Sequence, residues 1–262
     1  MIPMNALLKI LILPLLVIPA HASAATLSIM PESPIQGQPL MISVQGAQSI
    51  QGISFDGKKL GAFTWKGMPT AFYGIDLYKA PGTYKIKADL ADGTTIEKDV
   101  VISKREKIEA PLGIPQKLGG DTPAAATKLV STLALENASL LGLRTGTHVF
   151  WKEKFRYPLA DPIVTDDYGY QRQTGGYSIA HKGTDFRAKE GTPVMAMNRG
   201  VVRLAREGRN YGKTIVLDHG LGLQTFYMHL SKIYVNVGEL VLPGQRIGLS
   251  GQTGYAGQPH LH

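Results

Sequence analysis

The chain has 262 residues, 44% hydrophobic and 18% charged: enough apolar material for a real core, and a composition unlike that of disordered segments. Its formal charge of +8 suits acidic partners, but no run of five basic residues and no aromatic-interleaved basic motif occurs, which argues against nucleic acid. The absence of cysteine excludes disulfides, thiol catalysis, Cys-based zinc fingers and a lipid anchor on an N-terminal Cys.

At the N-terminus, Lys9 precedes the apolar run Ile10–Ile18, and Ala22-Ser23-Ala24 fits a small-x-small cleavage site. The run falls short of the roughly 20 apolar residues that span a bilayer. Residues 1–24 therefore read as a cleaved signal peptide. The mature protein is expected in the periplasm or cell envelope, without a stable membrane span. Removing this segment takes away one Lys and no acid, leaving 8 − 1 = +7.

Residues 25–105 alternate in short runs, Thr26–Ile29, Leu40–Val44, Tyr84–Ala88 and Val100–Ile102. Turn signals at Gln36-Gly37, Asp56-Gly57, Pro81-Gly82 and Asp92-Gly93 separate them, which predicts an Ig-like β-sandwich module. This stretch holds no His and only scattered acids, so a spacer or docking role is the better expectation.

Residues 106–150 read as a connector, where Pro111, Gly113, Pro115 and Gly119-Gly120 break regular structure. Asp121-Thr122-Pro123 then looks like a helix start. Ala126, Leu129, Val130, Leu133, Leu140 and Leu141 follow helical spacing, and Gly142 is a plausible stop. The face opposite them lacks a basic cluster, so the helix is expected to pack on a neighbouring domain and not on a membrane.

Residues 151–262 return to a Gly-rich β pattern. Candidate strands are Thr192–Ala196, Gly200–Leu204, Thr214–Asp218, Leu223–His229, Val235–Val237 and Arg246–Leu249. Short connections between them predict an antiparallel-sheet domain. The whole chain is thus expected to be mainly β, with a β-sandwich module, a helical connector and a C-terminal antiparallel-sheet domain.

Five of the seven histidines lie in this last region. His181-Lys-Gly-Thr-Asp185 places a carboxylate four residues after an imidazole. On a straight strand the two would stand roughly 13 Å apart. A shared metal therefore needs a bend, which Gly183 permits. His229 closes a strand, and His219 at a strand-to-turn junction reads as structural. In His260-Leu-His262, extended backbone would aim both imidazoles at one face. Each motif alone is weak.

Their order is not weak. The series runs from His181-Lys-Gly-Thr-Asp185 through Gly191-Thr-Pro-Val-Met-Ala196, Gly200-Val-Val202 and Asp218-His-Gly220. It continues with Met228-His-Leu230, Gly244-Gln245, Gly251-Gln-Thr-Gly254 and Pro259-His-Leu-His262. From about Phe155 to His262 this resembles the lysostaphin/LytM-type zinc metallopeptidases, endopeptidases that cut peptide bonds of bacterial peptidoglycan. Tyr168-Gly169 followed by Arg172 also resembles the segment that leads into the family's domain.

The resemblance implies Zn2+ held by His181, Asp185 and His262, with His229 and His260 as non-ligand catalytic histidines. It further implies a peptidoglycan peptide as the substrate. Three ligands and an open fourth position suit a catalytic zinc, although a fourth ligand from His260 is an alternative. There is no His-Glu-x-x-His motif to supply a Glu base; a neutral imidazole can do that work, and of the two histidines the resemblance implies, His260 is assigned the role. His229 is assigned to orient the water or stabilise the oxyanion.

Two other readings stand beside this one. A non-catalytic relative could bind the wall and activate other murein hydrolases, and the connector could cover the cleft of a latent enzyme. Tyr177 is a possible cleft residue. Family members usually continue past His-x-His, so the domain is expected to be C-terminally incomplete at His262.

Overall fold

A computed structural model of the chain describes residues 24–262. The signal-peptide reading falls almost wholly outside them. The described residues are mainly β with one α-helix, and among them no helix is long and apolar enough to cross a membrane. Two compact units emerge. The first comprises the chain up to Glu32 with Met41–Tyr73 and Tyr84–Val100; the second comprises Ser33–Leu40, Gly74–Thr83 and Val101–His262.

The N-terminal strands are β1 (Thr26–Met30), β2 (Pro39–Gln45), β3 (Ile50–Phe55), β4 (Lys58–Leu60), β5 (Ala62–Trp65), β6 (Met68–Gly74), β7 (Gly82–Leu90) and β8 (Thr95–Ile102). They form two four-stranded sheets, ordered β1-β2-β6-β5 and β4-β3-β7-β8. Alternation sets their faces. On β7, Ile86 and Ala88 are buried while Lys85, Lys87 and Asp89 face solvent. The turn at Asp92-Gly93 forms as the sequence predicts: Leu90 N–H donates to Thr94 O, and Asp92 accepts from the Thr94 N–H.

In the connector, β9 (Glu109–Pro111) precedes a 3-10 turn at Gln116–Leu118 and helix α1 (Pro123–Leu141). The helix starts and stops where capping chemistry dictates. The Thr122 hydroxyl accepts the Ala125 N–H, Pro123 is the first helical residue, and Gly142 follows the last. Two expectations need correction. The Pro/Gly-rich stretch does contain a strand, β9, because Pro111 stands at its last position, where no ladder donor is lost. Leu141, placed on the packing face by its spacing, is 87% exposed, since the helix reaches its final turn there.

The remaining strands are β10 (Val164–Asp166), β11 (Gln171–Thr174), β12 (Tyr177–Ala180), β13 (Asp185–Arg187), β14 (Pro193–Met195), β15 (Gly200–Gly208), β16 (Gly212–Gly220), β17 (Leu223–Leu230), β18 (Lys232–Ile233), β19 (Leu240–Val241), β20 (Arg246–Leu249) and β21 (His260–Leu261). They build sheets of order β17-β16-β15-β19, β14-β20-β18, β10-β13-β21 and β12-β11-β9. Recorded pairings here are antiparallel except β9 with β11, which is parallel. The core gathers Val194, Val202, Ile215, Leu217, Tyr227, Leu230, Ile247 and Leu261. The strand expected at Val235–Val237 is absent. There the Glu239 carboxylate accepts the Asn236 N–H, and Gly238 at φ +90° turns the chain instead.

Candidate metal centre

Three strands deliver the site. Asp185 opens β13, and β21 pairs with β13 through Phe186↔Leu261 and Arg187↔His260. Leu261 is buried in the core, so its neighbours His260 and His262 both face the other way. The period-2 expectation for His-x-His holds. His181 leaves the end of β12, where its N–H donates to Tyr170 O, and the chain bends over Gly183 to reach Asp185. Gly183 is required by close approach: a Cβ there would lie 2.3 Å from His262 Nε2.

His181 Nε2, Asp185 Oδ1 and His262 Nδ1 converge. Their separations are 3.2 Å (His181–Asp185), 3.0 Å (His181–His262) and 2.8 Å (His262–Asp185). The Asp167 carbonyl lies 3.0 Å from His181 Nδ1 and can only accept, so Nδ1 carries a proton and the ring is oriented with Nε2 facing Asp185 and His262. Burial opposes ionisation of Asp185, but hydrogen bonds with His181 and His262 outweigh it and hold its carboxyl far below the usual range. Two imidazole nitrogens and a carboxylate meeting at one point call for a cation between them. Zinc bonds of about 2.0–2.1 Å in tetrahedral geometry place ligand atoms about 3.3 Å apart, close to the spacing found here. The donor set fits zinc.

The other two histidines flank this group without joining it. The His260 ring nitrogen Nε2 is 3.7 Å from Asp185 Oδ1. His229 has its ring centroid 4.8 Å from that of His260 and 6.0 Å from that of His262. In both, Nδ1 faces a backbone carbonyl, Gln258 O and Thr253 O respectively, each at 2.9 Å. Both therefore carry the proton on Nδ1, leaving Nε2 free to accept. Burial, then the neighbouring His260 and His262, lowers the pKa of His229 to about 3, so it stays neutral.

His229 owes its direction to a bulge. Its φ is +59°, uncommon for a residue with a side chain. The pairing of β16 with β17 shifts register between Lys213 and Ile215. Met228 N–H donates to His262 O and His229 N–H to Tyr211 O. The ladder is broken locally, and the side chain is re-aimed toward the site.

Elsewhere the assignments resolve simply. His219 is fully buried, bonded to Arg199 O and the Thr225 hydroxyl, and is structural as expected. The Tyr177 hydroxyl is engaged with Thr127 of α1. Arg172 pairs with Asp166. Sequence reasoning missed Tyr211, whose ring lies 6.4 Å from that of His262. It also missed Glu136 and Asn137 on α1, which hold the Tyr211 segment. No motif spacing announces these; the only signal is polar residues at Thr132 and Glu136, one helical turn apart.

Three converging donors able to hold a metal ion, flanked by two further imidazoles on a β scaffold, define the class: a candidate site of the metallopeptidase type. Residues 179–262 match the model of Peptidase family M23, and the chain carries an M23 peptidase domain at that end. It is 50% identical over 82 residues to the peptidoglycan DD-endopeptidase ShyA of Vibrio cholerae, covering 31% of this chain and 19% of that protein. It is 42% identical over 102 residues to lysostaphin of Staphylococcus simulans, covering 36% of this chain and 20% of that protein. The chain thus spans about a fifth of the length of these curated relatives. A crystal structure from Pseudomonas aeruginosa, described as an M23 peptidase, superposes with TM-score 0.64 over 88% of each chain at 24% identity, a likeness of fold.

Proposed function

We propose that this chain is a zinc-dependent endopeptidase hydrolysing the peptide cross-links of bacterial peptidoglycan, exported to the periplasm or cell envelope. The carrying observation is the convergence of His181 Nε2, Asp185 Oδ1 and His262 Nδ1 beside two imidazoles with free Nε2 atoms. A bound zinc would supply Lewis acidity toward the scissile carbonyl and acidify water in its open position. His181, Asp185 and His262 would hold the ion. His260, the more exposed of the two remaining imidazoles, takes the proton at Nε2 and returns it to the leaving amine. His229 orients the attacking water through its Nε2 lone pair. The presence of all five groups weighs against a non-catalytic activator.

Residues 25–105 are proposed as an Ig-like spacer or docking module, 106–150 as a connector and 151–262 as the peptidase domain. The test is digestion of purified peptidoglycan by the whole protein, with mass spectrometry of the released peptides. New amino termini that appear with zinc and vanish with a chelator are expected. Intact cross-links after incubation with zinc-loaded protein would overturn the proposal.

A further inference from the structure

The turn joining β15 to β16 holds the catalytic side of the site together. Tyr211 O accepts the His229 N–H at 2.9 Å, fixing the residue at its positive φ. Asn210 O accepts the Tyr255 N–H at 2.6 Å, and Lys213 N–H donates to the Thr253 hydroxyl at 2.9 Å. Thr253 O in turn holds His229 Nδ1. Both ends of His229, backbone and ring, therefore depend on where residues 210–213 sit.

The Gly208↔Gly212 pair closes that turn, but the residues at its tip find their polar partners beyond the sheet. Asn210 is 2% exposed, so its polar groups need partners. They find them on α1, outside residues 179–262. Glu136 Oε1 accepts from the Asn210 N–H at 2.9 Å and from its side-chain amide at 3.2 Å. Glu136 Oε2 accepts the Tyr211 N–H at 3.1 Å. Asn137 Oδ1 accepts the Tyr211 hydroxyl at 2.7 Å, and Thr132 bonds the Asn210 amide at 2.8 Å. Gly208 leaves room for the carboxylate, since a Cβ there would lie 3.0 Å from Glu136 Oε2. A carboxylate accepting two successive backbone N–H groups is a strong, geometrically fixed clamp.

We infer that Glu136, supported by Asn137, is a positioning residue for His229: the connector helix is a working part of the peptidase site. This rests on the catalytic role proposed for His229, but its structural half does not. A misplacement of about 1 Å at a reacting group costs on the order of 100-fold in rate. Losing the clamp should therefore reduce turnover more than it reduces binding.

The test uses the whole protein with Glu136→Ala, Glu136→Gln, Asn137→Ala and, as a helix-weakening control on the exposed side, Ala134→Gly. NMR of the His229 ring proton on Nδ1 reports the Thr253 bond without any need for activity. In Glu136→Ala that resonance should shift or exchange faster, zinc stoichiometry should persist, and kcat should fall about 10- to 100-fold with KM little changed. Glu136→Gln, which keeps one acceptor, should lie between wild type and Glu136→Ala, and Ala134→Gly should match wild type in both readouts. An unperturbed His229 resonance in Glu136→Ala, or equal perturbation in Ala134→Gly, would overturn the inference. If wild type cuts no peptidoglycan while the resonance still responds to Glu136, the proposed function fails and the clamp stands. Should Glu136→Ala fail to fold, Glu136→Gln and Asn137→Ala carry the same comparison.

Discussion

Gly183 and His262 stand so close that a methyl group on Gly183 would meet His262 Nε2 at 2.3 Å. The bend from His181 to Asp185 brings both side chains against His262, and only a residue without a Cβ leaves space for that ring. Gly183→Ala should push the imidazole by about 1 Å and weaken zinc binding by roughly 10- to 100-fold, while the fold survives. Competition with a chromophoric chelator checks this, with circular dichroism as the folding control. Wild-type affinity would show that the ring has another place to go.

Ligand and non-ligand histidines should separate cleanly by metal content. His181→Ala and Asp185→Ala each remove one of three donors and should leave the purified protein without stoichiometric zinc. His229→Ala and His260→Ala should keep the ion and lose turnover by about 100-fold or more, the scale of general acid–base catalysis. Elemental analysis beside peptidoglycan digestion makes the distinction. Zinc loss in His260→Ala would mean that it serves as a fourth ligand.

The convergence of His181, Asp185 and His262 was partly legible in the sequence, because strand alternation and a glycine-permitted bend are local rules. Alternation along β21 puts His260 and His262 on one face, and a glycine between His181 and Asp185 allows the bend. The helix limits at Thr122, Pro123 and Gly142 were equally legible, since capping chemistry is local. What could not be read depends on distant partners. The bulge at His229 arises because Tyr211 O and His262 O capture the N–H groups of residues 229 and 228, 18 residues before and 34 residues after them. The clamp from Glu136 joins residues 74 apart, and nothing in either segment announces the other. Val235–Val237 failed as a strand because a side-chain carboxylate, Glu239, outcompeted a ladder partner.

Removing the metal should loosen the site more than the scaffold. Without a cation, two imidazole nitrogens and a carboxylate are held close by shared protons alone, whereas Ile215, Leu217 and Tyr227 remain packed beneath them. Chelation should therefore speed amide exchange around residues 181–185 and 260–262 and leave the centre of β16 protected. Hydrogen exchange with and without chelator reads this directly. Loss of protection throughout β16 would show that the ion holds the whole domain together.

Asp218 tests the scaffold itself. Its carboxylate is fully buried and accepts from the Thr145 hydroxyl at 2.7 Å, Gly146 N–H at 2.7 Å, Gly220 N–H at 2.8 Å and two Arg203 nitrogens at 3.0 and 2.8 Å. Burial opposes its ionisation, but these donors outweigh burial and lower its pKa. In either orientation the amide NH2 of Asp218→Asn would point at an N–H group that can only donate, Gly220 or Gly146 and Arg203, costing about 2–4 kcal/mol. A native pKa below the unfolded one means stability that is present above the unfolded value, near 4, and lost as pH falls through the native one. The difference between wild type and Asp218→Asn should thus be largest at neutral pH and shrink in acid. Urea unfolding of both proteins at a series of pH values measures it, and a gap that stays constant into acid would show that the Asp218 charge does not anchor the β15–β16 pair.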